Sequence, residues 1–290
     1  MLAAASCFLA LFLIPQDATP VQPVSTFSIV ARDPETGALG VAVQSHWFSV
    51  GSVVTWAEAG VGAVATQSFA RAAYGPELLA NLREGMAPQE ALDLRVQADR
   101  GRDVRQVAAV DAQGRVAAWT GPSCIASAGH VLGAGFACQA NIMLNDSVVP
   151  AMAAAYENAK GAFAERLLAA LDGAQLAGGD LRGRQSAAIL IVDGKRAAEP
   201  WQGVLMELRV EDHVEPLREL RRLLRIQRAY EAANAGDAAL EVNDMEAALE
   251  AYARAEALYP EQVELSFWRG VALVQRGHEP EGLEILRRVF

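Results

Sequence analysis

Apolar and polar positions alternate with period two along several short runs of the chain. Thr26-Phe27-Ser28-Ile29-Val30-Ala31-Arg32 is the first, turn-forming Asp33-Pro34-Glu35-Thr36-Gly37 follows, and Leu39 to Gln44 returns, which predicts an antiparallel hairpin. Ser52 to Trp56 with Val61 to Gln67, and Arg105 to Val110 with Arg115 to Thr120, repeat the arrangement. Between those two pairs the period lengthens to that of a helix: Leu78, Leu79 and Leu82 follow Pro76, and Ala91, Leu92 and Val96 follow Pro88. Further on, a glycine-rich strand is predicted over Gly135 to Asn141, helices over Ser147 to Asn158 and Ala162 to Ala177, and strands over Ser186 to Val192 and Val204 to Val210. This order predicts an α+β fold of two antiparallel sheets covered by helices. It lacks the strand-helix-strand repetition of a parallel nucleotide-binding sheet.

From Glu215 onward the pattern is helical. Arg218, Arg221, Arg222, Arg225 and Arg228 recur along one face, with Leu217, Leu220, Leu224 and Ile226 on the other sides. Such a stripe suits either an anionic ligand or a solvated face paired with acids. Glu231 to Glu264 is rich in acidic residues and favours the second reading. Gly236, Ala248, Tyr252, Ala255 and Pro260 resemble the signature of a tetratricopeptide repeat beginning at Ala229. A weaker second unit starts at Val263, with Gly270, Gly282 and Leu286 at the marked positions. The chain thus divides into a leader and linker (1–25), a sandwich (26–214) and a small all-α, tetratricopeptide-like extension (215–290) that offers a surface for a protein partner.

The leader is set apart by charge. Asp17 is its one charged side chain, and Leu2 to Ile14 is an apolar run closed by Pro15. That run is shorter than the roughly 20 residues of a membrane-spanning helix and suits a signal peptide, so export to the periplasm or outside the cell is expected. No Lys or Arg precedes the run, and a mis-assigned start codon with a cytoplasmic protein is the alternative. The whole chain is 52% apolar and 21% charged, with a net charge of −10, which excludes global disorder and argues against a nucleic-acid partner. Cys124 and Cys138 remain after leader removal. They are expected as buried small side chains, and an oxidising compartment would also permit a bridge. His46, His130, His213 and His278 are scattered, and the glycines form no phosphate loop, so neither metal nor cofactor is expected.

Polar residues gather at the ends of the apolar strands: Gln44-Ser45-His46, Thr66-Gln67-Ser68, Arg105-Gln106, Thr120-Gly121, and Gln139 with Asn141. Strand ends beside glycine-rich loops present functional groups, although hydrogen bonding at strand termini explains the same residues.

These blocks carry a resemblance. Thr26 to Asp33, Gly40 to Ser45, Gly60 to Gln67, Tyr74-Gly75-Pro76, Arg105-Gln106-Val107, Val110-Asp111, Thr120-Gly121, Gly129-His130 and Arg184-Gln185-Ser186 resemble, in order and as far as about Leu224, the family catalogued as domain of unknown function 1028. That family is grouped with the N-terminal nucleophile (Ntn) hydrolases, and the resemblance implies a four-layer αββα sandwich. It also implies that Thr26, once it is the first residue, attacks an amide carbonyl with its own α-amine as base; an amine with a pKa near ~8 is better matched to neutral pH than a carboxylate near ~4. Members commonly begin Met-Thr, whereas 25 residues precede Thr26 here, so the chemistry requires a cut between Ser25 and Thr26. Gln139-Ala140-Asn141-Ile142-Met143-Leu144 stands where the family usually reads Gln-Gly-Asn-Met-Leu, with Ile142 as the apparent insertion. On this basis Thr26 is the candidate nucleophile. Ser45, Thr66, Gln67, Gln106, Gln139 and Asn141 are candidates to line the pocket, orient a small-molecule or peptide amide, or stabilise an oxyanion. Arg105 and His46 are candidates to hold an anionic group. A homo-oligomer through sheet edges is a further expectation.

Overall fold

Asp33 closes the first hairpin. Thr36 donates its hydroxyl hydrogen to Asp33 Oδ2 at 2.6 Å, and Gly37 turns the chain at a φ of 78°, a conformation in which glycine carries no Cβ penalty. The computed structural model describes residues 26–290, and the leader and linker at 1–25 lie outside them. In chain order the strands and helices of the sandwich begin with β1 (Thr26–Arg32), β2 (Leu39–Ser45), the short α1 (Gly51–Val54), β3 (Thr55–Glu58), β4 (Gly62–Ser68), α2 (Tyr74–Arg83) and α3 (Pro88–Ala98). They continue with β5 (Arg105–Asp111), β6 (Val116–Thr120), β7 (Gly129–Gly133), β8 (Phe136–Asn141), α4 (Val148–Asn158), α5 (Phe163–Leu176), β9 (Ser186–Val192) and β10 (Val204–Val210). Four helices follow: α6 (Pro216–Glu241), α7 (Met245–Leu258), α8 (Val263–Gln275) and α9 (Glu279–Val289).

All strand pairs are antiparallel. They form a six-stranded sheet ordered β10-β9-β2-β1-β8-β7 and a four-stranded sheet ordered β3-β4-β5-β6. Period-two alternation sorts each strand between two cores. Phe27, Ile29 and Cys138 face outward from the larger sheet and meet Met152 of α4 and Leu167, Leu168 and Leu171 of α5. Val30, Val41 and Val43 face inward against Ala63, Ala65, Ala108 and Val110 of the smaller sheet. That sheet turns Val64, Val107 and Ala109 outward onto Leu78, Leu82, Leu92 and Val96 of α2 and α3. The result is the expected α+β sandwich, followed by a helical C-terminal region. Burying each such leucine contributes about 1.5–3 kcal/mol. Gly40 lets α5 sit close, since a Cβ there would lie 2.8 Å from both Leu167 Cδ1 and Phe163 Cε1.

Two local readings change. Ser52 to Trp56 is not one strand: Thr55 donates its hydroxyl hydrogen to the Gly51 carbonyl at 2.7 Å and Trp56 its indole N–H to the Val53 carbonyl at 2.9 Å. The Val54 N–H bonds the Val50 carbonyl at 3.0 Å to close one helical turn, and β3 starts only at Thr55. Strand β7 appears where the alternation predicts nothing. It is an edge strand with Leu132 exposed, so no buried face writes a pattern into its sequence. Both described cysteines are free; Cys138 is buried and Cys124 half-buried.

Helix α6 serves two cores. Leu217, Leu220 and Leu224 pack into the helix layer of the sandwich, whereas Ala229 and Ala232 pack with Ala255 and Leu265. In the extension Gly236 lies under Tyr252, and Gly270 lies against Leu286 and Gly282. The arginine stripe is paired with acids, as expected, but largely with those of the sandwich: Arg221 with Asp172, Arg228 with Glu165, and Arg222 with Glu219 of its own helix. Among the described residues Arg218 and Arg225 form no ion pair.

Asp33 also ties this fold together through an ion pair with Arg166 of α5. Burial pushes its pKa up, but the bonds from Thr36 and Arg166 outweigh burial and leave it below the ordinary carboxylate value. A lowered folded-state pKa contributes stability that is present above the unfolded-state value near 4 and lost as pH falls through the folded one. Wild-type thermal stability is therefore expected to fall on acidification below about pH 4, and Asp33→Asn to be less stable at neutrality with a shallower acid slope. Melting curves from pH 7 to pH 2.5 check this; equal slopes would remove Asp33 from the account.

Candidate functional site

The polar strand-end residues divide by parity. Thr26 and Ser28 of β1 share the inner face with Val30, Ser45 follows Val43 on β2, and Gln139 and Asn141 follow Ala137 on β8. From the opposite sheet Gln67 extends the Ala63 and Ala65 row, and Gln106 begins that of Ala108 and Val110. All seven of these polar residues are fully buried, so the space between the sheets is apolar at one end and a polar cluster at the other.

The cluster is hydrogen-bonded across the sheets. Thr26 donates its hydroxyl hydrogen to Ser45 Oγ at 3.0 Å, in keeping with the register that sets Thr26 opposite Ser45 and Asn141. Gln67 donates from Nε2 to the Thr26 carbonyl at 3.0 Å and to Gln106 Oε1 at 2.8 Å, and its Oε1 accepts from Ser28 at 2.6 Å. Gln106 Nε2 lies 2.9 Å from the Ala140 carbonyl and 3.0 Å from Thr120 Oγ1, and Asn141 Nδ2 lies 3.0 Å from Gln106 Oε1. Gln139 donates to the Ala65 carbonyl at 3.1 Å and to Ser28 Oγ at 3.2 Å. Two buried acceptors, Gln139 Oε1 and Asn141 Oδ1, have no hydrogen-bond partner among the described residues. Unmet groups of this kind cost about 1–3 kcal/mol each and suit an incoming N–H or ammonium. Their amide nitrogens, by contrast, are spent on the protein.

The other candidates lie apart. Thr66 belongs to the outer face with Val64 and bonds the Arg71 carbonyl at 3.3 Å. Arg105 pairs with Asp99 at 2.9 Å. Burial raises the Asp99 pKa, but Arg105 and the Gly101 N–H lower it further, and it ends below the ordinary value. His46 lies just past β2, where its backbone N–H donates to Asp180 Oδ2 at 3.0 Å, and its Nδ1 is buried without a partner among the described residues. Ser28 was not among the candidates, and its parity with Thr26 was the available signal. His130 was likewise outside the set. Its Nδ1 lies 2.8 Å from Thr120 Oγ1, burial holds its pKa below the ordinary value, and it borders a cavity of about 230 Å³ with Gly129, Met143 and Asn145.

The segment after β8 is strained. Ile142, at the apparent insertion, has a φ of 57°, an outlier for a β-branched residue. It is fixed by its N–H to the Ile125 carbonyl at 3.0 Å and by the Leu181 N–H to its own carbonyl at 3.2 Å. Among the described residues no group of three or more His, Cys, Asp or Glu side chains is placed to hold a metal ion, and no helix is long and apolar enough to cross a membrane.

No curated protein matches the chain. The crystal structure of a Silicibacter pomeroyi protein assigned to domain-of-unknown-function family 1028 is 35% identical and superposes with a TM-score of 0.62, over 69% of this chain and 85% of that one. The model of the same family, described as a family of unknown function, matches residues 26–220. Since that match takes in more than half of the chain and starts at the threonine of the inter-sheet cluster, the protein belongs to the family of unknown function DUF1028.

Proposed function

We propose that this protein is an exported amide hydrolase of the Ntn type, with Thr26 as nucleophile once residues 1–25 are removed and with a tetratricopeptide-like helical extension. The observation that carries the reading is the position of Thr26: first residue of β1, fully buried between the sheets, its hydroxyl 3.0 Å from Ser45 Oγ and its carbonyl held by Gln67. Ser28, Ser45, Gln67, Gln139 and Asn141 surround it with hydroxyls and amides, groups that take up no proton near neutrality. A freed α-amine with a pKa near ~8 supplies that function within the same residue.

The reaction balances as an acyl transfer. Thr26 Oγ bonds to the substrate carbonyl carbon, its proton passes to the α-amine and on to the leaving nitrogen, and the C–N bond breaks to leave an ester. Water then cleaves the ester and restores the hydroxyl. Asn141 Oδ1 and Gln139 Oε1, the acceptors without partners, would receive the substrate N–H or the α-ammonium. The small-residue contacts of Gly236 with Tyr252 and of Gly270 with Leu286 support the repeat reading.

The N-terminus of the mature protein tests the proposal. Intact mass and N-terminal sequencing are expected to place it at Thr26, and only chains starting there are expected to hydrolyse members of a library of small amides and short peptides. Equal hydrolysis by the full-length chain, or by one starting at Ala18 or Thr19, would overturn the assignment.

A further inference from the structure

Two open sheets leave four edge strands, and β10 is the longest of them: seven residues, against five in β6 and β7 and four in β3. Its register joins it to β9, and among the described residues no other backbone group bonds the N–H or C=O groups of Val204–Val210. Alternate residues of an antiparallel strand turn those groups away from the partner strand, so one side of β10 is an open ladder. Edges of this kind are commonly blunted by lysine or proline; β10 has neither. Val204 and Leu205 are exposed on it, and Trp201 and Val214 are exposed just before and just after it. A register shift between Val204 and Met206 confines regular pairing to 206–210.

Symmetry and charge select how a partner fits. A second copy added antiparallel about a two-fold axis keeps facing residues on the same side of the sheet, so the axis passes beside a residue and not between two. Centred on Leu208, the whole stretch 206–210 pairs. Glu207 then faces Arg209 of the second copy, twice over, Leu208 faces its own equivalent, and Met206 faces Val210. Centred on Glu207 or Arg209, the axis sets identical charges opposite each other and leaves part of the stretch unpaired; centres further out use only the ends of the strand. Glu207 and Arg209 share one side of the sheet, 3.7 Å apart and both partly exposed, so each is placed to meet its opposite number across the edge.

We infer that β10 is a self-association edge, along which two copies of this chain join their six-stranded sheets antiparallel about Leu208, with Glu207 of each copy against Arg209 of the other. The pairing supplies roughly four to six backbone hydrogen bonds and two opposite-charge cross-strand contacts. It is a small contact, and the dimer is weak and dependent on concentration. The inference does not depend on the hydrolase reading.

Sedimentation velocity of the full-length chain over a concentration series tests this. Wild type is expected to pass from monomer to dimer as concentration rises. Glu207→Arg places a guanidinium opposite Arg209 and is expected to weaken the dimer about ten-fold or more; Arg209→Glu sets two carboxylates opposite each other and is expected to do the same. An equimolar mixture of these two variants has opposite charges at both contacts and is expected to dimerise like wild type. The inference is overturned if wild type stays monomeric, if Glu207→Arg associates as tightly as wild type, or if the mixture associates no better than either variant alone. Association through the apolar leader would survive Glu207→Arg and so counts against the inference. Wild type against Glu207→Arg decides the matter even if Arg209→Glu, which also loses its contacts with Glu211 and Ser49, does not fold.

Discussion

Replacing Thr26 by alanine in a chain that starts at this residue is expected to lower amide hydrolysis by about 10³-fold or more, to the background of the assay. The substitution removes the oxygen that bonds to the substrate carbonyl and leaves the α-amine without a proton to take. Thr26→Ser keeps both groups and is expected to retain activity. One glycine added before Thr26 converts the amine into an amide, and is expected to be as damaging as alanine although every side chain is intact. In active chains the rate is expected to rise with pH through the amine pKa near ~8, because the base must be unprotonated. Thr26→Ala that folds by circular dichroism and still turns over substrate would place the chemistry elsewhere.

The second large effect concerns stability. Gln67→Leu is expected to cost about 3–5 kcal/mol, because the Ser28 hydroxyl and the Thr26 carbonyl lose a buried partner, Gln106 Oε1 keeps only its bond from Asn141, and unmet groups cost about 1–3 kcal/mol apiece. Thr66→Val, one residue earlier, breaks only the bond to the Arg71 carbonyl and is expected to cost about 1 kcal/mol. In a domain of this size the difference corresponds to roughly 10 °C in melting temperature, so thermal or urea melts of the two variants resolve it. Equal losses would mean that the sheets are held by their apolar contacts alone.

The strands were legible because alternation is local: Thr26, Ser28 and Val30 are set apart from Phe27, Ile29 and Ala31 within seven letters. The same alternation hid the site's nature, since a polar face ordinarily meets solvent, whereas here Ser28, Gln67 and Gln139 meet one another in the interior. Their pairing joins residues 39 and 111 positions apart, and no window along the chain contains it. Parity alone would have separated Thr66 from Gln67 and Arg105 from Gln106. Edge strand β7 and the four-residue α1 left no signal, the one because it buries no face, the other because valines there read as strand.

The unbroken course of α6 has a mechanical meaning. At 1.5 Å per residue its 26 residues make a rod about 39 Å long, clamped at one end by Leu217, Leu220 and Leu224 and at the other by the packing of Ala229, Ala232 and Gly236. No loop lies between the clamps. The bearing of α7 to α9 around the sandwich is consequently a matter of helical phase: one residue inserted between Leu224 and Ala229 would swing the whole extension by about 100°.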